Sequence, residues 1–481
     1  MTAIAKARIS RRSVLVGAAA AGSGLAIGIE VAGTPRALGQ NVPGPNVMAA
    51  EGNELSVWVL IQPDDQVVIR IARSEMGQGT LTGLAQLVAE ELGCDWAHVT
   101  WEYPTPGQNL ARKRAWGDMS TGGSRGIRAS HEYVRQGGAA ARQMLITAAA
   151  EAWQVPAAEV SAERGVITHA PTQRTTIYGK VAAAAAKLPV PELKSMKLKD
   201  PKDWTIAGQP LSRLDTTDKL DGSKIFAVDI SLPGMLNAAI KACPVFGGTI
   251  QSFDAEKIKA MPGVRHVVTV NPRTVAVVAD SWWQAKTALD ALPIVWDEGP
   301  NATESSETIA TRLAEGLTAA GDFAKNANGD APAAIASAAR QIEAVYSTPF
   351  LAHACMEPMN CVAKVSADRA EVWVATQNGE ASLAALAESS GLPLDKCEVY
   401  KHDLGGGFGR RGGSQDYVRQ AVSIAKQVPG VAIKMIWSRE EDLAQDFFRP
   451  ISQCRMAAGL DAAGNLVGLS MRISGQSINA F

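Results

Sequence analysis

Three short glycine-rich turns constrain this chain more than any other feature. Met76-Gly77-Gln78-Gly79-Thr80 falls between a predicted hairpin and a predicted helix. Thr121-Gly122-Gly123-Ser124 opens a second helix, and Gly405-Gly406-Gly407-Phe408-Gly409-Arg410-Arg411-Gly412 joins a strand to a third. A turn at a helix N-terminus presents unpaired backbone N–H groups and the positive end of the helix dipole, a ready anion site. Glycine lets the backbone come close to a ligand and adopt positive φ. Any one of these segments reads equally well as an ordinary tight turn. Together they predict a grip on a long polyanionic ligand.

The flanking patterns predict a mixed α/β chain. Ser56–Ala72 alternates around Pro63-Asp64-Asp65 as a hairpin does. Leu81, Leu84, Val88 and Leu92 recur at helical spacing, and Gly93 stops that helix. A second helix is expected over Ile127–Trp153, interrupted at Gly137-Gly138. The basic stretch 186–212 reads as a linker. From 213 to 300 the pattern becomes that of a separate α/β domain, with strands at Val264–Val270 and Thr274–Ala279, a helix at Ser281–Leu292 and Trp282-Trp283 in its core. Beyond 301, a polar Ala-rich connector precedes strands at Ala370–Thr376, Glu398–Leu404, Ala432–Trp437 and Leu466–Ile473, with a helix at Gln415–Gln427.

The 481 residues allow about three domains. With 47 basic and 48 acidic residues the net charge is -1, and no basic stripe marks a nucleic-acid partner. None of the six cysteines forms a Cys-x-x-Cys pair, so a zinc or iron–sulfur site built by this chain alone is not expected. The thiols read as buried, with one disulfide open to an oxidising compartment.

Residues 1–39 read as an address. Arg8, Arg11 and Arg12 precede the uncharged run Val14–Ile29, and Ala37-Leu38-Gly39 offers small residues for cleavage. Ser10-Arg11-Arg12-Ser13-Val14-Leu15 resembles a twin-arginine export signal. A periplasmic protein handed folded to the twin-arginine translocase is expected, with a retained membrane anchor as the alternative. Export after folding suits a chain whose cofactor is inserted in the cytoplasm.

Gly407-x-Gly409-x-x-Gly412 matches a dinucleotide fingerprint, but the acidic residue expected about 20 positions on is missing. A nicotinamide or flavin dehydrogenase therefore ranks behind other readings. His353 and Glu357 have the spacing of two metal ligands on one helix turn, but no third ligand accompanies them and Pro358 stops a helix. Packing, or a place along a substrate channel, is the better reading. His402 adjoins the third glycine turn and is a candidate neighbour of the ligand. Arg410 and Arg411 offer charge for phosphates or for a partner subunit.

Longer phrases are more specific. Ser74–Thr80, with Ala89-Glu90-Glu91-Leu92 after it, resembles the Met-Gly-Gln-Gly element of the molybdenum hydroxylases (the xanthine oxidase and aldehyde oxidase family). Thr121–Arg125 resembles their cofactor loop, and Leu351–Pro358, Ala375-Thr376-Gln377-Asn378, Gly405–Gly409 and Trp437–Asp442 resemble further cofactor-domain elements. The order, with Met-Gly-Gln-Gly first, resembles the isoquinoline 1-oxidoreductase large-subunit branch. The resemblance implies an α/β (α+β mixed) fold. A permuted part of a molybdenum-cofactor-binding domain would span 50–185, an aldehyde oxidase-type a/b hammerhead domain 213–300, and a cofactor-binding domain 301–481.

The resemblance also implies a molybdenum-pterin cofactor, in bacteria usually molybdopterin cytosine dinucleotide, held through its own dithiolene rather than by protein thiolates. The cofactor-binding residues would be Gly77, Gln78, Gly79, Thr121, Gly122, Gly123, Ser124, Gln377, Gly407, Phe408, Gly409 and Arg410. Gln377 would reach the oxo group of the metal, and no side chain would ligate the metal. A small-molecule substrate, either an N-heteroaromatic compound or an aldehyde, is implied. So are a small [2Fe–2S] partner subunit and a c-type cytochrome acceptor. The family's base, a glutamate in a Gly-x-Gly-Glu-like context, has no match among these residues. A fragment or one piece of a split subunit is therefore expected, and a non-catalytic cofactor-binding or assembly module is the alternative.

Overall fold

The computed structural model describes residues 51–320 and 326–476, and the expected export signal lies outside them. A four-stranded sheet begins the described chain: Asn53–Ser56, Val59–Ile61 and Val67–Arg70 run antiparallel, and Val99–Glu102 pairs parallel with the third. A parallel neighbour requires a crossover, which the helix Thr80–Leu92 provides. Leu81, Leu84, Val88 and Leu92 of its predicted apolar stripe are all buried, and Gly93 closes it in the left-handed conformation (φ 71°).

The second helix departs from expectation at both points. A single turn, Arg125–Arg128, is separate from the main helix His131–Trp153. Gly137 and Gly138 do not interrupt that helix; they are where it packs closely. A Cβ on Gly138 would lie 2.5 Å from the Val88 carbonyl oxygen, and one on Gly137 would lie 2.3 Å from the Trp58 ring.

The stretch 186–212 is a strap rather than a free linker. Glu90 Oε2 accepts the amides of Thr205, Ile206 and Ala207 at 2.8, 2.6 and 3.1 Å, and Lys199 Nζ reaches Glu90 Oε1 at 2.8 Å. Glu91 binds Arg135, whose guanidinium covers the Trp204 ring at 5.0 Å. Two buried carboxylates at the end of one helix thus fasten a segment whose own periodicity is weak.

A seven-stranded sheet forms the second layer, in the order Val264–Asn271, Thr274–Ala279, Leu236–Ala242, Ala432–Ile436, Asn360–Val365, Ala370–Ala375 and Cys397–His402. It runs across the expected domain boundary at 300, because Leu236–Ala242 pairs parallel with Ala432–Ile436. Ala238 and Ala276 share one core with Val372 and Tyr417. The 213–300 segment keeps a smaller core of its own around the helix Trp282–Ala291. Trp282 Nε1 donates to the Ile436 carbonyl at 2.9 Å, whereas Trp283 is 73% exposed instead of packed.

Sequence periodicity missed Arg340–Thr348 and Ser452–Leu460, which pair with Leu466–Gly475 as a three-stranded antiparallel sheet. Helices Ser306–Gly316 and Ala331–Ala336 lie on one face of it: Gln453 reaches the Ala310 carbonyl, and Gly459 and Gly468 abut Ile335. All six cysteines are free thiols. Among the described residues no helix is long and apolar enough to cross a membrane.

Candidate functional site

The chain brings its three glycine turns to one place, and Gln377 is the tie. Gln377 follows the strand Ala370–Ala375 and is 4% exposed. Its backbone amide donates to the Arg411 carbonyl (3.0 Å), and its carbonyl accepts from Thr121 N (2.7 Å). Its side-chain Nε2 donates to the Thr121 carbonyl (3.0 Å) and its Oε1 accepts from Gly409 N (2.9 Å). One amide thereby joins the second turn to the third. The first turn enters through Ser74, whose amide donates to Thr121 Oγ1 (2.8 Å) and whose hydroxyl donates to the Thr376 carbonyl (2.7 Å). Met76 touches the third turn, since a Cβ on Gly407 would lie 2.8 Å from its sulfur and 2.6 Å from Gln377 Oε1.

In the first turn the amides of Met76, Gly77 and Gly79 are already taken. Glu75, fully buried, accepts Gly77 N (2.8 Å) and Gly79 N (3.0 Å) on Oε1 and Leu81 N (3.0 Å) on Oε2. The chain's own carboxylate thus sits at the helix N-terminus, where an anion is favoured. Gln78 also folds inward: Nε2 donates to the Ser74 carbonyl and Thr80 Oγ1, and Oε1 accepts Met76 N. What remains is the amides of Gln78 and Thr80, without an acceptor among the described residues, and the bare face of Gly77, with φ 108° and nothing within 4 Å of the Cβ position.

The second turn is open. A Cβ on Gly122 would meet nothing within 4 Å and one on Gly123 only Arg125 Nε at 3.9 Å, and the amides of Gly122, Gly123 and Ser124 have no acceptor among the described residues. The helix behind it is one turn long, so the unpaired amides, not a macrodipole, make it anion-receptive. Arg125 and Arg128 stand beside it with exposed guanidinium groups.

The third turn is held from below. Glu357 Oε2 accepts Gly405 N (2.9 Å), and the buried Arg411 donates to the carbonyls of Gly406 and Glu357. Gly406, Phe408 and Gly409 have φ of 100°, 55° and 107°, which for Phe408 is a strained conformation. Phe408 is 72% exposed, and neither its amide nor that of Gly407 has an acceptor among the described residues. The next helix starts only at Asp416, so this turn is not a helix N-terminus either.

Arg410 contradicts its expected role. It is buried, bonds Asp416 bidentately (2.8 and 2.9 Å), pairs with Asp446 (2.8 Å) and lies over the Trp437 and Phe447 rings. Like Arg411 it is a strut, because its donors are spent on carboxylates beneath the loop. Asp446 also takes His353 Nδ1 at 2.9 Å. Burial would raise the Asp446 carboxyl, but the bonds from His353 hold it below its usual range. Sequence reasoning missed the Asp446 pairing and the role of Glu75; only the acid two residues ahead of Gly77 hinted at the latter.

His353 and Glu357 do not converge on a metal position, and no group of three His, Cys, Asp or Glu does so among the described residues. His402 is buried, and its side chain has no hydrogen bond to any of the three turns among the described residues. It lines a small cavity with Trp101, Tyr103, Lys224, Lys401 and Asp403, and its Nε2 has no hydrogen-bond partner among the described residues. Burial, and then the Lys224 ammonium, push its pKa down to about 4. Tyr103 donates to Asp403 (2.6 Å) and accepts Glu75 N (3.0 Å), so this buried network braces the first turn from behind.

Free amides on these turns, a bare glycine face and a buried glutamine at their junction lie together, an arrangement chemically able to take an extended anionic ligand. Comparison with known proteins agrees. One molybdopterin cofactor-binding domain family matches residues 316–477 and another matches residues 3–219. The chain thus carries matches to two molybdopterin cofactor-binding domain families, which supports a large subunit of the molybdenum hydroxylase kind. It is 29% identical to the isoquinoline 1-oxidoreductase subunit beta of Brevundimonas diminuta, over 94% of this chain and 62% of that protein. It is 28% identical to the membrane-bound aldehyde dehydrogenase [pyrroloquinoline-quinone] of Gluconacetobacter polyoxogenes, over 96% of this chain and 60% of that one. Among solved structures, quinoline 2-oxidoreductase from Pseudomonas putida 86 aligns with a TM-score of 0.43 and 22% identity, over 53% of this chain and 38% of that one. The chain thus spans about three-fifths of the length of the first two relatives.

Proposed function

We propose that this chain is the cofactor-bearing large subunit, or the greater part of one, of an exported molybdenum-dependent oxidoreductase. The enzyme hydroxylates an N-heteroaromatic compound or oxidises an aldehyde and passes electrons to a small [2Fe–2S] subunit. The carrying observation is the junction at Gln377, where two turns with unpaired amides and a third with a bare glycine face are joined by one buried side chain.

The residues fit a molybdenum-pterin cofactor. Gln377 spends one amide N–H on Thr121 and keeps a second with no acceptor among the described residues, aimed by bonds at both ends of its side chain. The amides of Gly122, Gly123 and Ser124, with Arg125 and Arg128 beside them, suit the phosphates of a dinucleotide tail. The amides of Gly407 and Phe408 suit polar atoms near the metal. The bare Gly77 face lets a flat ring system approach the backbone. When bound, the cofactor supplies two-electron redox chemistry. The chain's own part is to hold it rigidly: Glu75, Glu357 and Arg411 lock the turns from beneath, so that no loop must reorganise when the ligand binds.

The two substrate classes are those that the isoquinoline 1-oxidoreductase and aldehyde dehydrogenase relatives are named for. The cytosine dinucleotide tail, the cytochrome acceptor and twin-arginine export belong to the same proposal, the last on the strength of Ser10–Leu15. The test is to produce the gene with its native downstream sequence in a host competent for twin-arginine export. Molybdenum in the purified complex is then measured by metal mass spectrometry. About one molybdenum per chain is expected; folded, exported protein without molybdenum overturns the reading.

A further inference from the structure

The three-stranded sheet is apolar on the face its helices leave uncovered. Strand pairing aligns Tyr346, Cys454 and Ile473 in one cross-strand row and Ile342, Ala458 and Leu469 in another. Alternation places both rows, and Met471 between them, on the same side. The opposite parity, Gln453 and Gly459 among it, meets the helices Ser306–Gly316 and Ala331–Ala336. Tyr346, Met471 and Ile473 are each 59% exposed, Leu469 50% and Ile342 43%. A strand pattern that, Val345 apart, places polar or small residues on the helix side and large apolar ones toward water is inverted relative to a solvent-facing sheet. Contiguous apolar patches of this kind mark interaction surfaces. Leu466–Gly475 is also an edge strand, with one side unpaired.

We propose that this face is the docking surface for the rest of the large subunit: the polypeptide that the relatives carry beyond the three-fifths spanned here, packing an apolar sheet or helix face of its own across the two rows. The inference rests on the reading of the chain as part of such a subunit. Two observations favour this occupant over a second copy. The relatives' large subunits are longer than this chain by a domain-sized length. The face is flat, apolar and free of ionic pairs along both rows, as in a permanent intrachain layer rather than a surface that also lives in water.

The experiment places the photo-reactive residue p-benzoylphenylalanine at Met471, in the chain produced with its native downstream sequence, and identifies the cross-linked peptide by mass spectrometry. A peptide of the large subunit from outside residues 1–481, whether on the same polypeptide or a separate one, is the expected adduct. An adduct with a second copy of residues 1–481, with residues 1–50 or with the iron–sulfur subunit overturns the proposal, as does no adduct. The same residue at Ser470, which has the opposite parity, is the control and gives no such adduct. Leu469→Glu combined with Met471→Glu changes only exposed positions, so the chain still folds. The remaining large-subunit polypeptide then loses its hold, read as at least a tenfold drop in its co-purification or, if continuous, as protease cleavage between the two parts. Molybdenum content of the unmodified complex reports separately on the functional reading, so failure of either is recognisable.

Discussion

Gln377 Oε1 accepts the Gly409 amide at 2.9 Å, so a strand end and a glycine loop 32 residues later are held by one side chain. The same side chain reaches back 256 residues to the Thr121 carbonyl. Gln377→Ala removes both bonds and leaves a buried donor and acceptor unpaired, at a cost of about 1–3 kcal/mol in stability. Molybdenum content should fall several-fold in the purified complex, with a lower melting temperature. Unchanged metal content would show that the junction does not position the cofactor.

Glu75 closes the first turn with four donors: Gly77 N, Gly79 N, Leu81 N and Arg213 Nη2. In Glu75→Gln one side-chain oxygen becomes an N–H group and faces a backbone donor or Arg213. The expected loss is about 1–3 kcal/mol, read as a shift in the denaturant midpoint. Hydrogen exchange should quicken at residues 77–81 before it does elsewhere. If exchange there is unaltered, Glu75 is not what holds the turn.

Gly138→Ala tests the helix crossing. Helix propensity favours alanine by about 1 kcal/mol. The new methyl group meets the Val88 carbonyl oxygen at 2.5 Å, and a backbone atom cannot swing away. Overpacking should win, with a net loss of about 1–3 kcal/mol by thermal unfolding. A stabilised variant would mean that the two helices separate more easily than their packing indicates.

His402 makes stability depend on pH. Its folded pKa is pushed down to about 4 from an ordinary value of 6.5. Between those values the unfolded chain binds a proton that the folded chain does not, so this contribution to stability grows with rising pH and is lost as pH falls toward 4. His402→Met removes the titrating group. Urea midpoints measured at about pH 6.5 and about pH 4.5 should differ less in the variant than in the parent protein. Equal differences would place the acid sensitivity elsewhere.

Much of the local structure was legible because it is written in short-range chemistry. The stripe Leu81–Leu92 ending at Gly93, the hairpin around Pro63-Asp64-Asp65 and the helix before Gln427 appear close to their expected bounds. The strands Arg340–Thr348 and Ser452–Leu460 were not legible: many of their apolar positions face away from the covering helices, so alternation does not read as apolar-inside and polar-outside. The strap at 199–207 was missed for a different reason. Its order comes from Glu90 and Glu91, about 110 residues away, rather than from its own pattern.

The sequence alone determined where the glycine turns lie, which family of phrases they belong to, and that Gln377 stands at the end of a strand. These depend on residue type and near neighbours. Only the tertiary structure decided how the turns are used. Glu75 occupies the first turn's Gly77 and Gly79 amides, Arg410 is spent on Asp416 and Asp446, and the second turn alone keeps three unpaired donors beside exposed cations. Whether a backbone amide is free or taken depends on which distant side chain arrives to meet it, and that is settled by packing across hundreds of residues.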